Sequence, residues 1–132
     1  MTCGDEIGTV NEPGTIIVSP NYPNSYPINR NCRMVITLQP DEVVVLQFIH
    51  IDIGTSWLGF CDSTDWIEIF DGLDSNAEEI CPHQTCVFSH KLCGQEAPLK
   101  SVMATNNSMF IQFHSDGKEP GGSFKLRVVK GK

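Results

Sequence analysis

A chain of 132 residues provides enough polypeptide for one domain, and 40% hydrophobic against 19% charged residues exclude a disordered segment. Nine Lys and Arg against sixteen Asp and Glu give a net charge of −7, which disfavours nucleic acid and anionic membrane surfaces as partners. No apolar run approaches the roughly 20 residues that a membrane-spanning helix needs. We therefore expect no membrane insertion by this segment.

Short runs of β-branched or alternating apolar residues predict strands along the whole chain. In chain order they are 15–18, 33–38, 43–49, 66–70, 99–103, 109–114 and 124–129. Turns that contain Pro or Gly separate these runs, and helical periodicity is almost absent. This pattern predicts an all-β fold, a two-layer antiparallel β-sandwich, in a single domain over residues 1–132 with its core in 3–129.

The even number of cysteines predicts a disulfide framework formed in an oxidising compartment. The six are Cys3, Cys32, Cys61, Cys81, Cys86 and Cys93. Six cysteines allow fifteen connectivities, so counting alone leaves the pairing open. Sequential pairing would join Cys3 with Cys32 and close Cys81 with Cys86 in a tight local loop, which leaves Cys61 for Cys93.

A zinc site is the alternative for the middle cysteines. Cys81, His83, Cys86 and His90 combine thiolate and imidazole groups at short spacing, and such groups bind zinc tetrahedrally. Their spacing is not that of a familiar zinc finger or knuckle. We therefore favour the disulfide-closed loop.

Charge is unevenly distributed along the chain. Residues 34–90 contain no Lys or Arg but ten Asp and Glu. Such a segment is often no more than a solvated face. The more specific interpretation is a surface that binds a cation or a basic partner.

Five motifs in a fixed order carry a family resemblance. They are Cys3-Gly4 followed by Ser19-Pro20-Asn21-Tyr22-Pro23 and Tyr26-Pro27, then Asp65-Trp66-Ile67-Glu68-Ile69-Phe70-Asp71-Gly72, Leu92-Cys93-Gly94, Phe113-His114-Ser115-Asp116 and Gly121-Gly122-Ser123-Phe124. On these motifs the sequence resembles the CUB domain family over nearly all of residues 3–129. The resemblance implies a jelly-roll-like β-sandwich with the disulfides Cys3–Cys32 and Cys61–Cys93, and the Cys81–Cys86 loop is extra to the family pattern.

The resemblance also makes calcium a candidate cofactor, because many CUB domains bind one calcium ion at an end of the sandwich. It implies that Asp65 and Asp116 are ligands and that Tyr26 supports them by hydrogen bonding. Gly54 stands where calcium-binding members have a glutamate, and Asp62 is a candidate replacement. Calcium requires 6–8 oxygen ligands, so this loss matters. The alternative is that Asp65 and Asp116 only accept hydrogen bonds from loop backbone N–H groups.

We expect an extracellular, non-catalytic recognition module, either secreted or part of the ectodomain of a membrane protein. No charged-then-apolar leader precedes Cys3, so we expect a segment of a longer secreted chain. The expected mechanism is that acidic end loops, residues 54–65 and 116–119, bind an exposed Lys or Arg of a protein partner. Asp65, Asp116, Trp57 and Phe60 are the candidate partner-binding residues.

The alternative function is a calcium-free module that binds protein or carbohydrate through the aromatic loop residues Trp57 and Phe60. An enzyme is not expected, because the chain has neither a Gly-x-Ser-x-Gly motif nor a Gly-rich phosphate loop. Asn106 begins the sequon Asn106-Asn107-Ser108, which predicts a glycan on a surface turn.

Overall fold

The computed structural model describes residues 1–4, 6–54, 56–57, 60–61, 65–82, 86, 89–116 and 122–131, with the backbone alone at 56, 57 and 60. Within these ranges the chain forms ten strands. They are β1 (Ile7–Val10), β2 (Ile16–Val18), β3 (Asn31–Thr37), β4 (Val43–Asp52), β5 (Ser56–Trp57), β6 (Phe60–Cys61), β7 (Trp66–Phe70), β8 (Val102–Met103), β9 (Ser108–His114) and β10 (Ser123–Gly131). No helix in the described part is long and apolar enough to cross a membrane.

Eight of the strands form two four-stranded sheets, which confirms the predicted all-β sandwich. One sheet has the order β1-β3-β9-β7 and the other has the order β2-β10-β4-β8, while β5 and β6 form a separate hairpin. Period-2 alternation places one face of each sheet in a common core. The fully buried large side chains are Ile17, Met34, Ile36, Leu46, Ile51, Ile53, Ile67, Ile69, Leu92, Met109, Phe113 and Phe124.

One strand pair departs from the antiparallel pattern: β1 runs parallel to β3. The chain crosses from β1 to β2 in the opposite sheet and returns as β3, and such a crossover permits parallel neighbours. The sequence did not predict β1, because only Val10 of this strand is buried. Gly8 lies at its centre, where an added Cβ would be 2.7 Å from the Met34 sulfur.

A β-bulge at Ile49 changes which face of β4 is buried. Val44 and Leu46 point into the core, and the pairing with β10 then passes from Phe48 to His50 without Ile49. Because side chains alternate with period 2, this extra residue reverses the alternation, so that Ile51 is buried and Asp52 is not. The strand also continues three residues beyond the predicted run, to Asp52.

The predicted run 99–103 is only partly a strand. Pairing with β4 is confined to Val102 and Met103, and Leu99 is fully exposed. Lys100 and Ser101 interrupt the apolar residues of this run, and β8 is an edge strand that has a partner on one side only. The residues before it therefore gain no ladder hydrogen bonds.

Three disulfides close the fold, and they join Cys3 to Cys32, Cys61 to Cys93 and Cys81 to Cys86. Their Cα–Cα distances are 5.6, 5.7 and 5.8 Å, in the usual range for disulfides. Since Cys81 and Cys86 are paired with each other, neither supplies a thiolate for the alternative zinc site. His83 lies outside the described residues.

Backbone groups on both sides of the Cys81–Cys86 disulfide pair with the open edge of β7. Before the disulfide, the Ile80 backbone N–H donates to the Ile69 carbonyl at 2.8 Å. After it, Leu92 and Ile67 exchange two backbone hydrogen bonds of 2.8 and 2.9 Å. An uncovered edge strand is a template for unwanted pairing with other chains, and these hydrogen bonds occupy part of that edge.

Candidate functional site

Asp65 and Asp116 meet at one end of the sandwich because of how their strands pair. Asp65 immediately precedes β7, and Asp116 lies two residues after β9. Since β7 and β9 are antiparallel neighbours in which Trp66 pairs with His114, the start of one strand adjoins the end of the other. The Asp116 backbone N–H donates to Asp65 Oδ1 at 2.8 Å.

Tyr26 completes this arrangement from the other side. Its hydroxyl donates to Asp65 Oδ2 at 2.7 Å, and its backbone N–H donates to the Gly122 carbonyl at 2.8 Å. The Tyr26 ring packs edge-on against Phe113, with centroids 4.8 Å apart. Asp65 and Tyr26 are both buried, with 4% and 3% of their surface exposed. The structure thus brings Tyr26, Asp65 and Asp116, three of the four predicted metal-site residues, together at the buried Asp65 carboxylate.

Ser115 explains why the loop before β3 stays against this end. Its hydroxyl donates to the Pro27 carbonyl at 2.9 Å and accepts from the Arg30 backbone N–H at 2.9 Å. Its own backbone N–H donates to the Arg30 carbonyl at 2.8 Å. A buried hydroxyl needs such partners, and these bonds hold Arg30 at the same end of the sandwich as Asp116.

Asp52 lies at the same end of the sandwich, although the sequence analysis did not include it among the candidate site residues. A Cβ added to Gly122 would lie 3.2 Å from Asp52 Cγ, and Gly122 is also bonded to Tyr26. Asp52 ends β4, and the bulge at Ile49 is what keeps its carboxylate off the core face. No local pattern reveals a bulge, so the sequence gives a weak signal for this residue.

Burial holds the pKa of the Tyr26 phenol above its usual value near 10, and the carboxylates add to the effect. After burial, the largest contributions to the raised pKa of Tyr26 are its hydrogen bond to Asp65 and the negative charge of Asp65. The charges of Asp52 and Asp116 raise this pKa by smaller amounts. An ionised phenol would repel all three carboxylates. Tyr26 therefore remains a donor that fixes the orientation of Asp65.

This pKa shift predicts a pH-dependent cost for Tyr26→Phe. Below pH 10 the substitution should lower the free energy of unfolding by about 1–3 kcal/mol, because a buried carboxylate loses a donor. Above pH 10 the phenol ionises in the unfolded state and not in the folded state, so the wild-type stability falls as pH rises. The difference between the two proteins should shrink by up to about 1.4 kcal/mol per pH unit.

Urea unfolding of both proteins between pH 8 and 11 measures this difference, with Tyr22→Phe as the control for removing a phenol. A difference that stays constant across this range would show that Tyr26 ionises equally in both states.

The remaining predicted site residues lie elsewhere or outside the described residues. Asp62 is outside them, so its proposed role as a calcium ligand stays a prediction. Trp57 and Phe60 are paired in the backbone register of the β5–β6 hairpin, and only the backbone of these two residues is described. Their role in binding a partner also stays a prediction.

A separate group of ionisable side chains lies against β7. Burial raises the pKa of the Glu79 carboxyl, and the charge of Glu68 and a hydrogen bond with it raise this pKa further. The Trp66 indole donates to Glu68 Oε1 at 3.0 Å, and Lys91 Nζ lies 3.8 Å from the centre of the indole ring. These contacts fasten the inserted segment to β7 and involve none of the residues around Tyr26.

Comparison with known proteins identifies the family. The family model described as "CUB domain" matches residues 3–128, which is nearly the whole chain. The chain belongs to the CUB domain family. This result confirms the resemblance drawn from the five sequence motifs.

Relatives of this CUB domain are much longer proteins. The chain is 30% identical to dog (Canis lupus familiaris) cubilin over 131 residues, which is 98% of the chain and 3% of cubilin. It is 31% identical to zebrafish (Danio rerio) neuropilin-1a over 127 residues, covering 95% of the chain and 12% of that protein. The chain thus spans only a small part of these relatives.

Solved structures show the same architecture. The crystal structure of the MASP-1 CUB2 domain bound to Ca²⁺ is 26% identical, with a TM-score of 0.73 over 92% of this chain and 96% of that one. CUB domains are generally extracellular, non-enzymatic protein-interaction modules, and the homologues are extracellular or ectodomain proteins.

Proposed function

We propose that this CUB domain binds a basic side chain of a protein partner at its acidic end, defined by Asp52, Asp65 and Asp116. The buried Asp65 carboxylate carries this proposal. Its two oxygens accept hydrogen bonds from the Tyr26 hydroxyl and from a backbone N–H, and both donors are neutral. A buried negative charge is stabilised by a nearby cation, and a Lys or Arg of the partner would supply one.

Asp116 and Asp52 are the groups that a partner would contact. Both are partly exposed, whereas Asp65 is buried behind them and contributes mainly through its field. The neighbouring strands β4 and β7 fall in the 34–90 segment that lacks Lys and Arg, while the backbone of Arg30, a basic residue, is hydrogen-bonded to Ser115 at this end. Charges at a partly desolvated edge interact more strongly than in water and accelerate encounter with an oppositely charged partner.

Calcium is a candidate addition to this site, since the similar MASP-1 CUB2 domain was crystallised with Ca²⁺. The carboxylates have suitable chemistry, because calcium prefers oxygen ligands. However, no three His, Cys, Asp or Glu side chains among the described residues are grouped to hold a metal ion. Asp62, the candidate replacement ligand, lies outside the described residues, so calcium binding here stays a prediction.

A charge-matched pair of double variants tests the proposed function. Asp52→Asn/Asp116→Asn removes two charges at the acidic end, and Asp41→Asn/Asp74→Asn removes two exposed charges at other turns. We expect the first to weaken binding of an otherwise neutral, lysine-containing peptide by at least about tenfold, because it removes charged hydrogen-bond acceptors. The second should change the affinity by about twofold or less, because exposed distant charges are screened.

Surface plasmon resonance at about 0.15 M salt measures both affinities, and the same peptide with Gln in place of Lys is the ligand control. Equal losses in the two double variants would mean that binding follows net charge and that the acidic end has no particular role. Repeating the measurement with chelator and then with millimolar calcium tests the cofactor. Affinity that rises only with calcium would assign the metal a part in binding.

A further inference from the structure

We propose that Asn106 carries an N-linked oligosaccharide at the end of the sandwich opposite Asp65 and Asp116. Asn106 lies in the turn just before β9, whereas Asp116 follows the last residue of the same strand. The seven residues of β9 therefore separate the two positions by about 20 Å. A glycan at this turn and a partner at the acidic end would occupy different ends of one domain.

The turn that presents Asn106 is fixed by hydrogen bonds on both sides. Thr105 donates to the Asp71 carboxylate twice, from its backbone N–H and from its hydroxyl, both at 2.9 Å. Asn107 donates through its side chain to the Leu38 carbonyl at 3.0 Å. Within the sequon, the Asn107 side chain therefore stabilises the turn, whereas the Asn106 side chain is exposed to solvent.

The Asn106 side chain can be modified without loss of a buried contact. Its amide nitrogen has one described hydrogen bond, a long 3.4 Å contact to the Thr105 hydroxyl at the exposed surface. The backbone carbonyl of Asn106, which a glycan leaves intact, accepts from the Val44 N–H at 3.2 Å. A modified chain can therefore form the same turn and the same hydrogen bond from Val44 of β4.

The modification is a group transfer from a lipid-linked oligosaccharide diphosphate, the donor class used in the secretory pathway. A bond forms between Asn106 Nδ2 and the anomeric carbon of the first sugar, and the bond from that carbon to the diphosphate oxygen breaks. The diphosphate leaves with the electron pair, Nδ2 loses one proton, and nothing is oxidised or reduced. The Ser108 hydroxyl completes the acceptor sequon.

Intact-mass measurement of the full chain secreted from eukaryotic cells tests this proposal. The wild type should carry one glycan, and an amidase that releases N-glycans should convert Asn106 to aspartate. N106Q and S108A should each lose the glycan. S108T should keep it because Thr also completes the sequon, and N76Q, at an exposed Asn outside a sequon, should keep it as well.

Secreted wild type with the mass of the bare chain, or N106Q that still carries an N-glycan, would overturn the proposal. Lysine-peptide binding provides an independent readout. Enzymatic removal of the glycan should leave that affinity unchanged, because the two sites are at opposite ends. An affinity that changes on removal would contradict the separation proposed here.

Discussion

Replacing Phe113 with alanine should lower the free energy of unfolding by about 3–5 kcal/mol, which is the usual cost of truncating a fully buried phenylalanine. Phe113 is 0% exposed and lies between Tyr26 and Phe124, with ring centroids 4.8 and 4.9 Å away. Close packing on both sides prevents the core from collapsing into the space that is left. A loss of this size is a large part of a typical domain's stability.

Urea unfolding of wild type, Phe113→Ala and Leu99→Ala measures the effect. Leu99 is fully exposed, so its truncation should change stability by about 0.5 kcal/mol or less. Phe113→Ala should also weaken binding of the lysine-containing peptide, since the Tyr26 ring rests on Phe113. Equal stability losses in the two variants would contradict the packing described for this core.

Gly122→Ala should cost about 3 kcal/mol through steric conflict, the opposite of a cavity. An added Cβ would overlap the Asp52 backbone carbonyl oxygen and lie 2.8 Å from its carbon. These are backbone atoms of β4, which cannot move aside as a flexible side chain could. The start of β10 would therefore separate from the end of β4, and the Tyr26 N–H would lose its Gly122 partner.

Gly4→Ala is the matched control, because an added Cβ at Gly4 would meet nothing within 4 Å. Thermal unfolding should show a much lower Tm for Gly122→Ala and an almost unchanged Tm for Gly4→Ala. The peptide affinity of Gly122→Ala should fall as well, because Asp52 and Tyr26 both adjoin this glycine. Stability equal to that of Gly4→Ala would mean that the two strands do not approach as closely as described.

Local sequence pattern predicted those strands whose faces differ in polarity. β3 and β10 alternate buried and less buried residues, and their burial follows the period that the sequence shows. β1 was not predicted, because a central glycine and exposed neighbours remove the signal. The hairpin β5–β6 was also not predicted, because strands of two residues are too short to show a period.

The order of motifs led to the CUB family and to the pairing of Tyr26, Asp65 and Asp116, because each lies in a recognisable segment. Asp52 was not among the predicted site residues. Its placement depends on the bulge at Ile49, and the bulge arises only from pairing with β10, more than seventy residues later in the chain.

The sequence by itself determined the fold class, the family and the acidic character of the 34–90 segment, since composition and period are properties of the chain alone. Only the tertiary structure decided that Asp65 is buried between two neutral donors, that Asp52 joins it, and that Asn106 faces solvent at the opposite end. These features depend on strand register and on long-range backbone hydrogen bonds. Neither can be read from neighbouring residues, because the partners meet only after the two sheets have packed.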